Sequence, residues 1–295
     1  MIPVDKSKQK EDSECAKVRR ELDSALRELQ EKEAQTIELD RIAKMLVRRD
    51  MEIIRLNDEL VEIDRAKSHF TTIAAHQLRT PLSVVKWTLR MLLSEDFGSL
   101  NDEQKRVIEG GYNVNEGMIK LISDLLDVAR IESGRFTYKF EKVFIEDVII
   151  QVTAALKTRA DEKEIRIEVT RGAGRDLAVL GDKTALKVAV DNLVANAINY
   201  TLPGGKIDIG YKQDGQYIAV TIKDTGIGVP AHQKNYLFAK FFRGDNVVKM
   251  QTSGSGLGLF ITKSIINAHS GEIGVDSQEG QGSTFWFKLP IDINT

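Results

Sequence analysis

Apolar residues recur in three different periods along this chain, and each period predicts a different kind of element. Between residue 16 and Lys67 there is no proline and no glycine. Alternate steps of three and four join Leu39, Ile42, Leu46, Arg49, Ile53, Leu56, Leu60, Ile63, Lys67 and Phe70. That mostly apolar series is the seam of a coiled coil, assigned to residues 16–67. Leu22, Leu26 and Leu29 form an earlier seam that does not run in phase into Leu39, a shift that locally over- or underwinds such a structure. Residues 1–15 are charged, show no period and are expected to fray as a polar tail.

From residue 68 to 132 the spacing predicts two amphipathic helices. Ala75, Leu78, Leu82, Val85, Leu89 and Leu92 make one stripe, and Val107, Gly111, Val114, Met118, Leu121, Leu125 and Val128 the other. A turn at Phe97, Gly98 and Ser99 separates them, and Asn101 with Gln104 reads as a capping pair opening the second helix. One hairpin cannot cover both stripes, so two copies are expected to form a dimeric four-helix bundle.

Ser133 and Gly134 end the helical pattern and open a linker over 133–140. In the remainder, 141–295, apolar and polar residues alternate in IRIEV, KIDIGY, YIAVTIKD, EIGVDS and TFWFKL. Helical stretches are expected over Val148 to Arg159, Thr184 to Tyr200 and Leu257 to Ala268. Half-buried strands with helices on one face predict a two-layer α/β sandwich. The fold class is therefore multidomain: a coiled coil and helical bundle followed by that sandwich.

Composition narrows the function. The net charge of −2 over 295 residues offers no single-sign field for nucleic acid or an anionic membrane. Cys15 is the only cysteine, so an intrachain disulfide and a cysteine-held metal are both excluded. No apolar run reaches the roughly 18 residues needed to span a bilayer, and a cytoplasmic protein without a membrane segment is expected.

One of the four histidines, His76, lies in AAHQLRTPLSVVKW. At 100° per residue it stands roughly 160° to 240° from Leu78, Leu82, Val85 and Leu89, the expected buried positions, and so faces water. Pro81 cannot donate to the carbonyl of Gln77, which predicts a kink just after the histidine. An exposed imidazole with a free ring nitrogen is available as a nucleophile.

Four later segments suit a nucleotide. In DNLVANAINYT, Asn192 and Asn196 share a helical face, where amide oxygens suit a Mg²⁺ that keeps most of its waters. In DTGIGV, Asp224 ends a strand and can accept from an exocyclic amine, while Gly226 and Gly228 permit close approach of a flat ring. YLFAKFFRGD sets aromatics beside Lys240 and Arg243; Phe238 and Phe241 are expected in the core, and Arg243 can reach a terminal phosphate. In SGSGLGLFITKSI, Gly254, Gly256 and Gly258 lead into a helix start, whose N–H groups and dipole favour phosphate oxygens.

Taken together these segments resemble the transmitter region of bacterial two-component sensor histidine kinases. AAHQLRTPL is similar to the H box, DNLVANAINYT to the N box, DTGIG and GSGLGL to the two glycine boxes, LFAKFFR to the F box, and GQGSTF to the closing strand motif. The resemblance implies ATP-dependent autophosphorylation of His76, then transfer to an aspartate of a response regulator receiver domain. It implies a homodimer, ATP and Mg²⁺ as cofactors, and an ATPase domain shared with gyrase and heat-shock protein 90. Asn196 would be the main metal ligand, supported by Asn192. Asp224 would bind the adenine amino group, with Tyr200 nearby and Gly226 and Gly228 shaping the pocket. Arg243 would approach the γ-phosphate, with Lys240, Leu257 and Ser283 also at the nucleotide and Gly254, Gly256 and Gly258 anchoring a lid. Thr80 occupies the position that in relatives orients water for dephosphorylating the regulator.

Two positions depart from the family. Gln77 stands where an acidic residue is usual, and Asn199 where a cation is common, so Lys240, Arg243 or Lys249 would have to substitute. A carboxylate can fix the imidazole tautomer and also take a proton or stabilise positive charge; the glutamine amide can only do the first. Slowed rather than abolished autophosphorylation is the expectation. The alternative is a degenerate kinase acting as an ATP-binding phosphatase or scaffold.

Overall fold

The computed structural model describes residues 6–134, 136–173, 178–244 and 254–291, and within its first helix only the backbone of 6–18, 20, 21, 23, 68, 69 and 72. Two compact units divide at Ala66 and Lys67. In the first, the chain is helical from Lys6 onward. The seam residues Leu39, Ile42, Leu46, Ile53, Leu56, Leu60 and Ile63 are all exposed in the single chain. No described helix is long and apolar enough to cross a membrane.

The same helix, α1 (Lys6–Leu93), carries the start of the second unit and contains Pro81 without ending there. The chain then turns at Phe97–Gly98 and opens α2 (Asp102–Glu132) with the expected capping box: Asn101 Oδ1 accepts from the Gln104 N–H at 2.8 Å, and Gln104 Oε1 from the Asn101 N–H at 3.0 Å. Each such cap contributes about 1 kcal/mol. Between α1 and α2 lie Ala75, Ile122 and Leu126, with Leu82 against them. In the single chain Leu78 (53% exposed), Val85 (45%), Val107, Val114, Met118 and Leu121 are exposed, as expected of stripes that one hairpin cannot cover. The reason is geometric, since a two-helix layer has an inner seam but no second layer to cover its wider apolar face.

The rest of the second unit follows in the order β1 (Glu141–Phe144), α3 (Ile145–Asp161), β2 (Arg166–Arg171), β3 (Ala178–Gly181), α4 (Lys183–Tyr200), β4 (Lys206–Asp214), β5 (Tyr217–Asp224), a 3₁₀ turn (Ala231–Tyr236), α5 (Gly258–Ala268), β6 (Glu272–Gln278) and β7 (Gly282–Pro290). A five-stranded sheet has the order β2-β4-β5-β7-β6, parallel only between β2 and β4. The two short strands β1 and β3 pair separately, a small sheet the alternation did not predict. Ile207 and Ile209 of β4, Ile218, Val220 and Ile222 of β5 and Phe287 of β7 face one side, where Val152 of α3, Leu193 and Ile198 of α4 and Ile261 and Ile265 of α5 meet them. Each fully buried branched side chain there is worth on the order of 1.5–3 kcal/mol relative to exposure. Val128 of α2 belongs to the same core, so the hairpin and the sandwich are joined by apolar contact.

Candidate active site

Asp224 is positioned by strand alternation. Ile218, Val220, Ile222 and Asp224 share the helix-covered face of β5, so the carboxylate ends a row of buried apolar side chains and is only 4% exposed. Ser283 of β7 lies directly opposite in register. The Gly226 N–H donates to Asp224 Oδ1 at 2.8 Å and the Ser283 N–H to the same oxygen at 3.1 Å. Burial pushes this carboxyl above the usual carboxylate range, and the two N–H donors offset that only in part. Both bonds fall on Oδ1, which leaves Oδ2 for a ligand donor.

The turn after β5 is clamped on two sides. A Cβ on Gly226 would sit 2.3 Å from the Tyr200 carbonyl oxygen, and that same oxygen accepts from the Ile227 N–H at 3.1 Å. Gly228 has φ +65° and would place a Cβ 1.9 Å from the Gln278 carbonyl oxygen, so both its backbone and its space exclude a side chain.

Along α4, Asn192 is 6% exposed, and its Nδ2 donates to the Gly258 carbonyl at 3.3 Å. That bond fixes the start of α5 and leaves Oδ1 open to a ligand. Asn196, one turn on, is half-buried, and its side chain makes no hydrogen bond among the described residues. Tyr200 is half-buried at the helix end. Before α5, Leu257 is fully buried as a plug. Gly256, at φ +69°, would bring a Cβ within 2.7 Å of Phe241 backbone, whereas Gly254 faces open space within 4 Å.

The F-box segment departs from expectation. Lys240 forms an ion pair with Glu132 of α2 and lies 4.9 Å above the Phe260 ring, so its charge is committed to the hairpin. Phe241 is 63% exposed with φ +61°, because the chain reverses there and turns the ring outward. Phe238 is half-buried under the Lys263 ammonium. Arg243 is half-buried, and Lys249 lies outside the described residues.

His76 and Gln77 are exposed on α1, and the Thr80 hydroxyl donates to the His76 carbonyl at 3.4 Å. The groove beside His76 is lined by Arg79, Thr80, Ser83, Trp87 and Met91, all from α1. Asn192 with Gly258, and Tyr200 and Asp224 with Gly226, are brought together, then, and the histidine is not among them.

Residues that the sequence patterns missed also gather here. Asp124 of α2 accepts from the Ser255 hydroxyl at 2.8 Å, and that hydroxyl accepts from the Leu257 N–H at 3.2 Å. Arg159 of α3 donates to Asn199 Oδ1 at 2.5 Å. Neither contact has a signature, because each joins side chains at least forty residues apart.

No group of three or more His, Cys, Asp or Glu able to hold a metal occurs among the described residues. The unengaged amide of Asn196 and the remaining oxygen of Asn192 fit a Mg²⁺ carried on phosphates, which needs few protein ligands.

Two family profiles match the chain. Residues 66–134 match the His Kinase A (phospho-acceptor) domain, and residues 181–293 match the histidine kinase-, DNA gyrase B-, and HSP90-like ATPase. The chain belongs to the two-component sensor histidine kinases. Among kinases of this family it is 32% identical over 226 residues to the circadian input-output histidine kinase CikA of Synechococcus elongatus, covering 76% of this chain and 30% of that one. It is 31% identical over 277 residues to the signal transduction histidine-protein kinase BarA of Escherichia coli K12, covering 92% and 28%. It is 32% identical over 236 residues to the sensor histidine kinase WalK of Bacillus subtilis, covering 79% and 38%. The chain thus spans about a third of the length of these relatives. A crystal structure of full-length ShkA in complex with AMPPNP superposes with a TM-score of 0.61 at 29% identity, covering 75% of this kinase chain and 45% of that one.

Proposed function

We propose that the chain is the ATP-dependent autokinase part of a two-component system, acting as a homodimer. The observation that carries this reading is the convergence of Asp224, the Asn192–Asn196 face and the glycine-rich start of α5 in one domain, with His76 exposed on a neighbouring helix. The exposed apolar stripes of α1 and α2 support a second copy as the other half of a four-helix bundle.

In this reading Asp224 Oδ2 accepts the adenine amino group in a site whose low polarity strengthens the bond. Asn196, with Asn192 behind it, holds the Mg²⁺ of the nucleotide, which supplies charge neutralisation for the phosphates. The N–H groups opening α5, and Arg243, bind phosphate oxygens. His76 attacks the γ-phosphorus with a ring nitrogen; the new N–P bond forms as the β–γ bridging O–P bond breaks, and ADP leaves. The groove beside His76 and the groups that bind nucleotide do not share residues, so transfer needs a rearrangement that brings a His76 ring nitrogen to the γ-phosphate. The receiver aspartate of a response regulator then takes the phosphoryl group. Thr80, one turn past His76, orients the water that hydrolyses the regulator's aspartyl phosphate and releases inorganic phosphate.

Incubating the purified protein with γ-labelled ATP and Mg²⁺ tests this. Acid-labile label lost in His76→Ala is expected. Nucleotide binding without any label would favour the degenerate reading, in which the kinase serves as a phosphatase or scaffold.

A further inference from the structure

Asn199 shares a helical face with the two asparagines assigned above to Mg²⁺. It lies seven residues after Asn192 and three after Asn196, which on an α-helix puts it within about 20° and 60° of them. Its own side chain carries no charge, yet the structure brings one there. Arg159, in the last turn of α3, reaches across to α4, where its Nη2 donates to Asn199 Oδ1 at 2.5 Å. Arg159 is exposed and forms no ion pair with any carboxylate among the described residues. A guanidinium has five N–H donors in a planar fork, and one contact leaves the rest of the fork available.

A second cation stands beside it. Lys163 Nζ donates to the carbonyls of Ile198 and Asn199 at 3.0 and 3.1 Å, which caps the end of α4. Its ammonium is pushed below the usual lysine range, first by burial and then by the charge of Arg159. Lys163 is consumed by the cap, whereas Arg159 is not. The C-terminal end of a helix also carries negative dipole charge, which opposes a polyphosphate lying along it unless a cation intervenes.

We propose that Arg159 is a phosphate-binding residue of the nucleotide site, held over the ligand face of α4 by the amide of Asn199. This rests on the nucleotide reading of that face and deepens it. Lys240 is drawn off to Glu132, so the charge at this end of the site comes from α3, a helix outside the recognised boxes. Asn199 serves as a bracket that orients a long side chain, in place of bearing charge itself.

Affinities of the full chain for ATP, ADP and adenosine, measured by calorimetry with Mg²⁺, test the assignment. Arg159→Ala is expected to weaken ATP and ADP about tenfold, the scale of one lost charge-assisted pair, and to leave adenosine unchanged. Asn199→Ala, which frees the arginine without removing it, is expected to give a smaller loss of the same selectivity. Arg159→Lys should restore part of the affinity. Equal losses for all three ligands, together with a lowered melting temperature, would make Arg159 only a strap between α3 and α4 and overturn the proposal, as would unchanged ATP affinity. A wild-type chain that binds no ATP would instead sink the nucleotide reading itself.

Discussion

The Ser255 hydroxyl donates to Asp124 Oδ2 at 2.8 Å, tying the glycine-rich start of α5 to the second helix of the hairpin. Lys240 and Glu132 make a second tie, and Val128 and Ile131 add apolar contact. Burial pushes the Asp124 carboxyl upward, against the Ser255 bond and then the Lys120 charge, which pull it down. These contacts hold the ATPase domain on α2 while His76 stays on α1.

Loosening them should free the domain. The variant Asp124→Ala removes a bond to a charged acceptor, worth about 1.5–3 kcal/mol, and initial autophosphorylation rates are expected to rise about 3- to 10-fold. Adding Glu132→Ala should raise them further. A lower rate in both variants would mean that the contacts belong to the productive arrangement.

Asp224→Asn separates binding from folding. The asparagine Oδ1 can still accept from Gly226 and Ser283, but Oδ2 becomes an NH₂ that opposes the adenine amine. ATP affinity should fall about 10- to 100-fold, the scale of a hydrogen bond to a charged group. Stability should move the other way. The folded pKa is raised, so the folded domain holds this proton more tightly, and the stabilisation is lost as pH climbs from the unfolded value through the raised one. At neutral pH the charge is a burden that the amide removes, and the melting temperature of Asp224→Asn should match or exceed wild type.

His269 predicts an acid limit. It is 4% exposed, and its Nε2 accepts from the Asp182 N–H at 2.8 Å, so the proton must sit on Nδ1, which donates to the Ile265 carbonyl at 2.8 Å. Burial holds its pKa below the usual histidine value, more strongly than the Ile265 bond and the Asp182 charge raise it. As pH falls, the unfolded chain takes the proton first. Stability present above about pH 6.5 is therefore lost below it. His269→Gln keeps an acceptor but cannot titrate. Its stability to denaturant should be about 1–2 kcal/mol lower at pH 7.5 and change less than wild type on going to pH 5.5; an equally steep change would place the acid limit elsewhere.

Gln77 is exposed and makes no hydrogen bond among the described residues, so its substitution disturbs chemistry more than packing. Gln77→Glu is expected to raise the autophosphorylation rate, by no more than the ~10² at the small end of acid–base assistance. A rate unchanged or reduced would remove this residue from the account.

Much of this was legible in the sequence because it depends on local periods. The alternation in YIAVTIKD fixed which face Asp224 takes, and Asn101 with Gln104 announced the start of α2. What the pattern could not reveal depends on contacts distant along the chain. The partner of Lys240 is Glu132, and the partner of Asn199 is Arg159, and neither choice leaves a period. The strands β1 and β3 are four residues each, too short for alternation to register. Leu78 and Val85 belong to an interior that a single hairpin does not possess and that a second hairpin would complete.

The linker after α2 is sewn to the far end of the helix that carries the asparagines. Tyr138 meets the His269 ring edge-on and Phe140 meets it at a tilt, the Lys139 N–H donates to Asp182 Oδ2 at 2.8 Å, and Asp182 Oδ1 accepts from the Ala185 N–H at 2.9 Å to begin α4. From there α4 runs 18 residues, about 27 Å at 1.5 Å per residue, as a stiff rod. A tug on the linker would tilt the whole rod, a lever whose short arm is three aromatic rings and whose long arm ends at Asn196 and Asn199.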